Sequence, residues 1–279
     1  MFGEGGRDEG RLGRGVVKQY GKAADGFDVS SCQFALHYFF GDLNTLQNFV
    51  KNLAECTKLG GYFISTAYDG KSVFDMLKNK EVDEGISIYE DGSKVWEVKK
   101  RYSVNSFEND SSSLGYKIDV FQESINKLQS EYLVNYDYFT QVMEDYGFHP
   151  VSRDEAKELS LPSGSGLFSS LYTDLVNKHA KSKDADYRTA INMNEYEKKI
   201  SFLNRFVVFK KIRIVNTAKV VLAEAEEDPD IVLKKQQDVE VEEITEESRK
   251  TSTAPTSRKL DKKKPRKLTK KLMHLSQLM

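Results

Sequence analysis

Apolar positions in the first third of the chain change from strand-like to helix-like spacing and back again. Residues 27–32 predict a buried strand, and residues 61–66 predict a second one. Residues 43–57 have the spacing of an amphipathic helix, which the glycine pair at 60–61 is expected to end. The apolar positions of that helix are Leu46, Phe49, Val50 and Leu53. A further short helix is expected over residues 72–77.

This strand–helix–strand order predicts two neighbouring parallel strands that are joined by a right-handed crossover. In an open α/β sheet, functional residues gather at the carboxyl ends of the strands. Residues 33–38 and residues 67–70 fall at such ends. We therefore expect these two segments to lie close together and to contribute to one site.

The middle of the chain predicts an antiparallel β insertion. Residues 94–102 and 116–121 have strand character, and the polar run at residues 109–113 is typical of a turn. Further helices are expected over residues 136–146, 167–177 and 195–203, and a last strand over residues 206–209. The fold class predicted from these elements is α/β.

The pattern changes after about residue 216, where apolar periodicity is lost. Residues 224–247 are acidic, and residues 258–271 are strongly basic. Segregated charge of this kind predicts disorder, so we divide the chain into a folded domain, 1–216, and a disordered tail, 217–279. The basic stretch predicts RNA binding without sequence preference. A plain solvated tail, a nuclear-import signal and a leucine-containing docking helix remain alternatives.

Composition limits the classes of function. The chain has 279 residues, of which 39% are hydrophobic, so it is long enough for a sizeable core. Its formal net charge of −1 predicts no strong overall attraction to nucleic acid or membrane. It has neither a stretch of about 20 apolar residues nor the apolar leader of a secretory signal. These two absences lead us to expect an intracellular, reducing location. Cys32 and Cys56 lack zinc-site spacing, so we expect buried free thiols.

The run Gln33-Phe34-Ala35-Leu36-His37-Tyr38 carries the first candidate chemistry. On spacing alone, a single histidine in such an apolar run is more often a structural residue than a functional one. A site that recognises guanine needs a donor near O6, an acceptor near N1 and N2, and an aromatic face. His37 and Tyr38 have the chemistry for the donor and the face, and a carboxylate from elsewhere would supply the acceptor.

At these residues the sequence resembles the mRNA cap guanine-N7 methyltransferases, most closely the capping enzymes of large DNA viruses. The Gln-Phe-x-x-His-Tyr run after a Phe-Asp strand is the most specific signal. The resemblance extends over about residues 10–213. The segments that carry it are residues 12–21, 27–38, 60–66, 131–134 and 201–209.

The resemblance implies a class I, Rossmann-like domain that transfers methyl from S-adenosylmethionine to N7 of the cap guanine. Carried over by position, Gln33 and Tyr38 would contact S-adenosylmethionine. The residues implied to contact the cap guanine are His37, Tyr38, Glu131 and Tyr68. Glu131 would accept from N1 and N2, although a solvated surface carboxylate is the alternative interpretation.

Two positions depart from the family pattern. Tyr68 stands where many relatives have a proline after the fifth strand. Asn204 stands where relatives have a tyrosine on the cap, and Phe202 or Phe206 could substitute for that tyrosine. The resemblance therefore leaves open which contact Tyr68 makes, and it does not say which residue forms the last wall of the cap pocket.

The glycine-rich segments at residues 3–6 and 10–15 follow no apolar strand, so they do not match the cofactor loop of class I methyltransferases. We therefore expect a partial domain, the C-terminal portion of the family's domain, with weak or no activity on its own. No catalytic residue is expected, because guanine N7 carries no proton that a base must remove.

The resemblance implies capped RNA as a partner, together with other capping-enzyme domains, and no membrane. It implies a viral factory, the host cytoplasm or a virion for a viral protein, and the nucleus for a cellular one. A non-catalytic cap- or protein-binding fragment and a small-molecule methyltransferase of the same fold are the alternatives.

Overall fold

The computed structural model describes residues 25–181, 188–217 and 220, which form helices and two β-sheets. The strands are β1 (Phe27–Gln33), β2 (Thr57–Tyr68), β3 (Gly85–Glu90), β4 (Ser93–Lys100), β5 (Lys117–Gln122), β6 (Lys127–Tyr132), β7 (Phe148–Pro150), β8 (Ser165–Leu167) and β9 (Asn204–Lys211). The helices are α1 (Leu43–Cys56), α2 (Gly70–Met76), α3 (Tyr136–Asp145), α4 (Arg153–Glu158), α5 (Phe168–Lys181), α6 (Arg188–Ile191) and α7 (Glu195–Ser201). The α/β prediction is therefore confirmed.

The first sheet has the strand order β1-β2-β9-β7, and β8 also pairs with β9. β1 and β2 run parallel, with Gln33 opposite Thr66 at their carboxyl ends. The predicted parallel pair is confirmed, and residues 33–38 lie beside the end of β2 as expected. The prediction that β1 is buried is wrong, because β1 ends the strand order of this sheet and leaves Phe27 and Val29 exposed. β9 joins β2 in the antiparallel direction, so that Asn204 lies opposite Tyr68. The site residues are thus gathered at one edge of this sheet.

Helix α1 covers the first sheet with its apolar face. Leu46, Val50 and Leu53 are buried in one core cluster with Phe63 of β2 and Phe139 of α3. The predicted periodicity of this helix is therefore confirmed, and burial of such a stripe is the main source of helical stability in proteins.

The prediction that the glycine pair at 60–61 ends α1 is wrong. The helix ends at Cys56, and β2 begins at the next residue. A Cβ on Gly61 would lie 2.9 Å from the carbonyl oxygen of Phe27, so the glycine allows β2 to approach β1 closely. The buried Lys211 donates to the carbonyl oxygens of Ala54 and Thr57, at the helix–strand junction. Tertiary contacts therefore set this boundary.

The second sheet is an antiparallel meander in the order β3-β4-β5-β6. The predicted strands at 94–102 and 116–121 are confirmed as β4 and β5, and they pair as expected. β3 and β6 were not predicted. β6 has the sequence Lys-Leu-Gln-Ser-Glu-Tyr, so its inward-facing positions are polar and lack the apolar alternation of a half-buried strand.

The two sheets meet where Asp69 forms a parallel bridge with Val134. A Cβ on Gly70 would lie 2.3 Å from the Val134 carbonyl oxygen, so only glycine fits this approach. Val134 follows β6 directly, and Asp69 follows β2. The bridge therefore fixes the end of β6 next to the end of β2, and both ends border the candidate site.

The helices that were predicted at 136–146, 167–177 and 195–203 are confirmed as α3, α5 and α7. Cys32 and Cys56 are free and half-buried. In the part of the chain that the structure describes, no helix is long and apolar enough to cross a membrane.

All of the described residues belong to the first of two units into which the chain divides, residues 1–224. The predicted tail, 217–279, lies outside the described residues except at Thr217 and Val220. The loop over residues 12–21 that carries part of the resemblance also lies outside them.

Candidate functional site

A cleft of about 440 Å³ lies between the carboxyl ends of β1 and β2 and the inner face of β5 and β6. Four of the five residues with implied roles line it, namely His37, Tyr38, Tyr68 and Glu131. The other lining residues are Phe34, Ala67, Val120, Gln122, Ile125, Lys127, Gln129, Ile200 and Asn204. The structure thus brings together residues from distant parts of the sequence in one cavity.

The chain leaves β1 through a sharp turn at Phe34, whose φ of 51° is unusual for a residue with a side chain. The Phe34 N–H donates to the Thr66 carbonyl oxygen at 2.8 Å, which holds this conformation. A 3-10 turn over Leu36–Phe39 follows and buries Leu36 and His37. Strained backbone of this kind recurs at functional sites, and here it turns His37 and Tyr38 into the cleft.

Gln33, the fifth residue with an implied role, does not line the cleft but lies at the adjacent edge of the sheet. Its Oε1 accepts from Thr66 Oγ1 at 2.8 Å, and its Nε2 donates to Ser31 Oγ at 3.0 Å. The exposed amide is therefore held in one orientation. It retains acceptor capacity for a ligand, because an amide oxygen has two lone pairs.

His37 is buried, with 5% of the residue exposed. Its Nδ1 lies 3.5 Å from Glu131 Oε2, too far for a strong hydrogen bond. Its Nε2 has no hydrogen-bond partner among the described residues. Burial lowers the pKa of His37 to about 4, because desolvation disfavours the charged imidazolium. The imidazole is therefore neutral at physiological pH.

Glu131 comes from β6, and 13% of its side chain is exposed. Burial raises the pKa of Glu131 to about 7, because a carboxylate also loses hydration in the cleft. An ion pair with His37 would favour the charged form of both groups. We hold that desolvation dominates, since the 3.5 Å separation lacks hydrogen-bonding geometry. A ligand that donates hydrogen bonds to Glu131 would favour its ionised form.

Tyr38 supplies an accessible aromatic surface. It is 52% exposed, and its ring centroid lies 4.2 Å from that of His37 at an interplanar angle of 62°. This edge-to-face contact orients the ring while one side stays open to the cleft. The ring is available to stack on a planar ligand.

Tyr68 has a hydroxyl group that is fixed by two donors. Trp96 Nε1 donates to it at 3.0 Å, and Gln122 Nε2 donates to it at 3.1 Å. Both neighbouring groups can only donate through these atoms, so the hydroxyl accepts twice and its own proton is directed elsewhere. Burial raises the pKa of Tyr68, which keeps that proton in place. Tyr68 therefore keeps a hydroxyl proton that neither of these two neighbours uses.

Asn204 lines the cleft, and its Nδ2 donates to the Ser201 carbonyl oxygen at 3.1 Å, at the end of α7. The suggestion that Phe202 or Phe206 replaces an aromatic wall here is wrong. Phe202 packs against Tyr172, with ring centroids 5.4 Å apart, and Phe206 is buried in a separate core cluster. These aromatic side chains are engaged in packing away from the cleft.

Three polar residues of the cleft were missed in the sequence, namely Gln122, Lys127 and Gln129. All three belong to β5 and β6, the strands that pair at the cleft wall. The signal that could have revealed them is the alternation of Lys127, Gln129 and Glu131, which places all three on one face of a strand. Without a predicted strand at 127–132, this spacing had no structural meaning.

The family model described as the mRNA (guanine-N(7))-methyltransferase domain matches residues 13–212. The chain belongs to this family. The matched range includes every residue of the cleft, so the cap guanine-N7 methyltransferase resemblance extends across the whole site.

Individual relatives are similar over part of their length. A probable mRNA-capping enzyme of Acanthamoeba polyphaga mimivirus is 27% identical over 210 residues, which cover 68% of this chain and 18% of the relative. The mRNA cap guanine-N(7) methyltransferase of Saccharomyces cerevisiae is 30% identical over 131 residues, covering 45% of this chain and 29% of the relative. The matches thus span less than a third of either relative.

A solved S-adenosylmethionine-dependent methyltransferase of Clostridium acetobutylicum overlaps 44% of this chain and 48% of its own, with a TM-score of 0.30 and 12% identity. Similarity at this level adds nothing to the family match, on which the assignment rests.

Proposed function

We propose that the cleft binds the cap guanine of RNA and that the protein transfers the methyl group of S-adenosylmethionine to guanine N7. The observation that carries this proposal is the close pair of the buried His37 and the half-buried Glu131 beside the open ring of Tyr38. A carboxylate, a neutral imidazole and an aromatic face together match the edge and the plane of guanine.

In this proposal Glu131 accepts hydrogen bonds from guanine N1 and N2. Two donors on a single base edge favour the ionised carboxylate, which offsets the effect of burial on its pKa. His37 contacts the same base from the cleft wall, which is supported by its place in the lining and by its Nδ1 facing Glu131. Tyr38 lies against the plane of the base, and Tyr68 donates its hydroxyl proton to an acceptor of the nucleotide.

The reaction requires positioning rather than proton transfer. Guanine N7 has a free lone pair at neutral pH, so no general base is needed. Holding N7 about 3–3.5 Å from the methyl carbon, in line with the bond that breaks, supplies much of the rate enhancement. A neutral His37 suits this reaction, because a nearby imidazolium would oppose the positive charge that develops on guanine.

S-adenosylmethionine supplies an activated methyl group on a sulfonium. Gln33 would contact it with the amide oxygen that the sheet edge holds in place, and Tyr38 would lie between it and the base. These residues fit one side of such a ligand, because they combine a fixed amide with an accessible ring.

The test is to incubate the full chain with capped RNA and S-adenosylmethionine carrying a labelled methyl group, and then to identify the labelled base. Product is collected over a long incubation, so that a slow reaction is also detected. We expect N7-methylguanine, lost in Glu131→Gln and kept in Glu123→Gln, a matched change at an exposed position outside the cleft. Label at another atom, or label that persists unchanged in Glu131→Gln, would contradict the proposal and favour a different methyltransferase function.

A further inference from the structure

Strand β6 presents a row of three polar side chains to the cleft. Lys127, Gln129 and Glu131 all line it, and their spacing of two residues places them on one face of the strand. Exposure increases along the row, because Glu131 and Gln129 are half-buried and Lys127 is exposed. The row therefore runs from a hydrogen-bond acceptor at the inner end to a cation at the mouth.

The length and order of this row match one kind of ligand. A strand rises about 3.4 Å per residue, so Lys127 lies about 14 Å along β6 from Glu131. A nucleotide whose guanine edge meets Glu131 extends through its ribose toward its phosphates, which carry negative charge. Along the row, the neutral amide of Gln129 then falls beside the ribose, and the ammonium of Lys127 falls beside the phosphates.

The surroundings of Lys127 favour this role. Lys127 pairs in register with Gln122, whose Nε2 is held by the Tyr68 hydroxyl at 3.1 Å. The backbone of Lys127 is therefore paired with a residue whose side chain is held in place in the cleft wall. Lys127 makes no ion pair with any residue that the structure describes, so its charge is available to an anion.

We propose that Lys127, with Gln129 beside it, forms a subsite for the 5′–5′ triphosphate bridge of capped RNA, and that this subsite selects the cap over guanine nucleosides. The inference rests on the proposed function, because it assumes that guanine is bound at Glu131. It assigns to β6 a role in substrate selection beyond recognition of the base.

The experiment compares two ligands by calorimetric titration of the full chain, an unmethylated cap dinucleotide and guanosine. For Lys127→Ala we expect about fivefold weaker binding of the dinucleotide at low salt, since exposed charge pairs contribute up to about 1 kcal/mol. Guanosine binding is expected to stay the same. The difference between Lys127→Ala and the wild type should shrink as salt is added, because ions screen an exposed charge. Lys127→Arg should retain wild-type binding.

The matched control is Lys117→Ala, which removes the same charge from an exposed position of β5 outside the cleft lining. Equal losses for Lys117→Ala and Lys127→Ala would overturn the subsite, because they would indicate a general charge effect. An equal loss of affinity for both ligands in Lys127→Ala would overturn the subsite too, because it would show that Lys127 does not contact the phosphates.

Glu131→Ala separates failure of the subsite from failure of the proposed function. If Glu131→Ala weakens the binding of both ligands and Lys127→Ala changes the affinity for neither, the subsite proposal is wrong while guanine recognition at Glu131 is supported. If Glu131→Ala changes neither ligand, or the wild type binds neither, the proposed function itself fails.

Discussion

His37 Nδ1 and Glu131 Oε2 lie 3.5 Å apart, and burial displaces the pKa values of the two groups in opposite directions. The pair therefore combines a neutral imidazole with a carboxyl group that is poised to ionise near neutral pH. Each group is costly to bury without a partner. A ligand that donates to one and contacts the other would relieve that cost, which is why this pair is central to the proposed recognition of guanine.

Because the pKa values of His37 and Glu131 are displaced in opposite directions, we expect their effects on the pH dependence of stability to cancel in part in the wild type. Glu131, with a pKa of about 7 against an ordinary 4.5, holds an extra proton in the folded state, so its effect lowers stability as pH rises through that range. His37, with a pKa of about 4 against an ordinary 6.5, lowers stability as pH falls through that range. Between 4.5 and 6.5 the two effects oppose each other.

Single substitutions should expose each effect. In Glu131→Gln only the effect of His37 remains. We therefore expect the free energy of unfolding to fall by on the order of 1–2 kcal/mol as the pH is lowered from 6.5 to 4, and to fall less in the wild type. In His37→Gln it should fall by a similar amount as pH rises from 4.5 to 7. Urea denaturation across this pH range measures both. Parallel curves for the wild type and both variants would contradict the displaced pKa values.

Binding of the cap should itself depend on pH through Glu131. Because guanine donates to the ionised carboxylate, affinity should fall as pH drops below about 7, by at most about tenfold per pH unit. Calorimetry in buffers of different ionisation enthalpy should detect proton release on binding below pH 7. An affinity that is constant between pH 5.5 and 7.5 would show that Glu131 does not ionise to receive the base.

His37→Ala should abolish most methyl transfer without changing the shape of the pH–rate profile. The imidazole is already neutral above about pH 5, so it contributes recognition and no titration in the physiological range. The control is His149→Ala, which alters an exposed histidine that pairs with Glu144 away from the cleft. If His37 were a general base, the wild-type rate would fall steeply below its pKa, and the variant would lose that fall.

Tyr68→Phe should destabilise the fold as well as the site. The substitution leaves the buried Trp96 Nε1–H and the Gln122 amide without their acceptor, which costs about 1–3 kcal/mol. The same change at Tyr89, which is 60% exposed on β3, should leave the free energy of unfolding within about 0.5 kcal/mol of the wild type. Equal changes in the free energy of unfolding for the two substitutions would mean that the hydroxyl of Tyr68 does not stabilise the fold.

The sequence predicted the first sheet better than the second because its signals are local. Helix α1 and strand β2 bury regularly spaced apolar side chains, and such spacing appears directly as periodicity. The parallel pairing of β1 was also predicted, although its exposure was not. β6 instead turns polar side chains inward, since its inner face lines the cleft rather than the core. The end of α1 was misplaced because the buried Lys211, distant in sequence, meets carbonyl oxygens at its junction with β2.

Some residues of the candidate site could be predicted from the sequence, and others could not. His37, Tyr38 and Glu131 could be named because the resemblance carries them by position, and the structure brings them into one cleft. The donors that fix Tyr68 could not be foreseen, because Trp96 and Gln122 reach it only through the packing of β4 and β5 on the end of β2. The tail stays a prediction, with its RNA-binding role still to be tested by deletion.

The most direct test of guanine recognition compares the unmethylated guanosine cap dinucleotide with its inosine counterpart, which lacks the N2 amino group. We expect the wild type to prefer guanosine by about 1–3 kcal/mol, the value of a buried hydrogen bond to a charged group. We expect Glu131→Ala to bind both ligands weakly and with equal affinity, measured by calorimetry. A wild type that does not distinguish the two ligands, or a preference that survives Glu131→Ala, would contradict the assignment of Glu131 to the guanine edge.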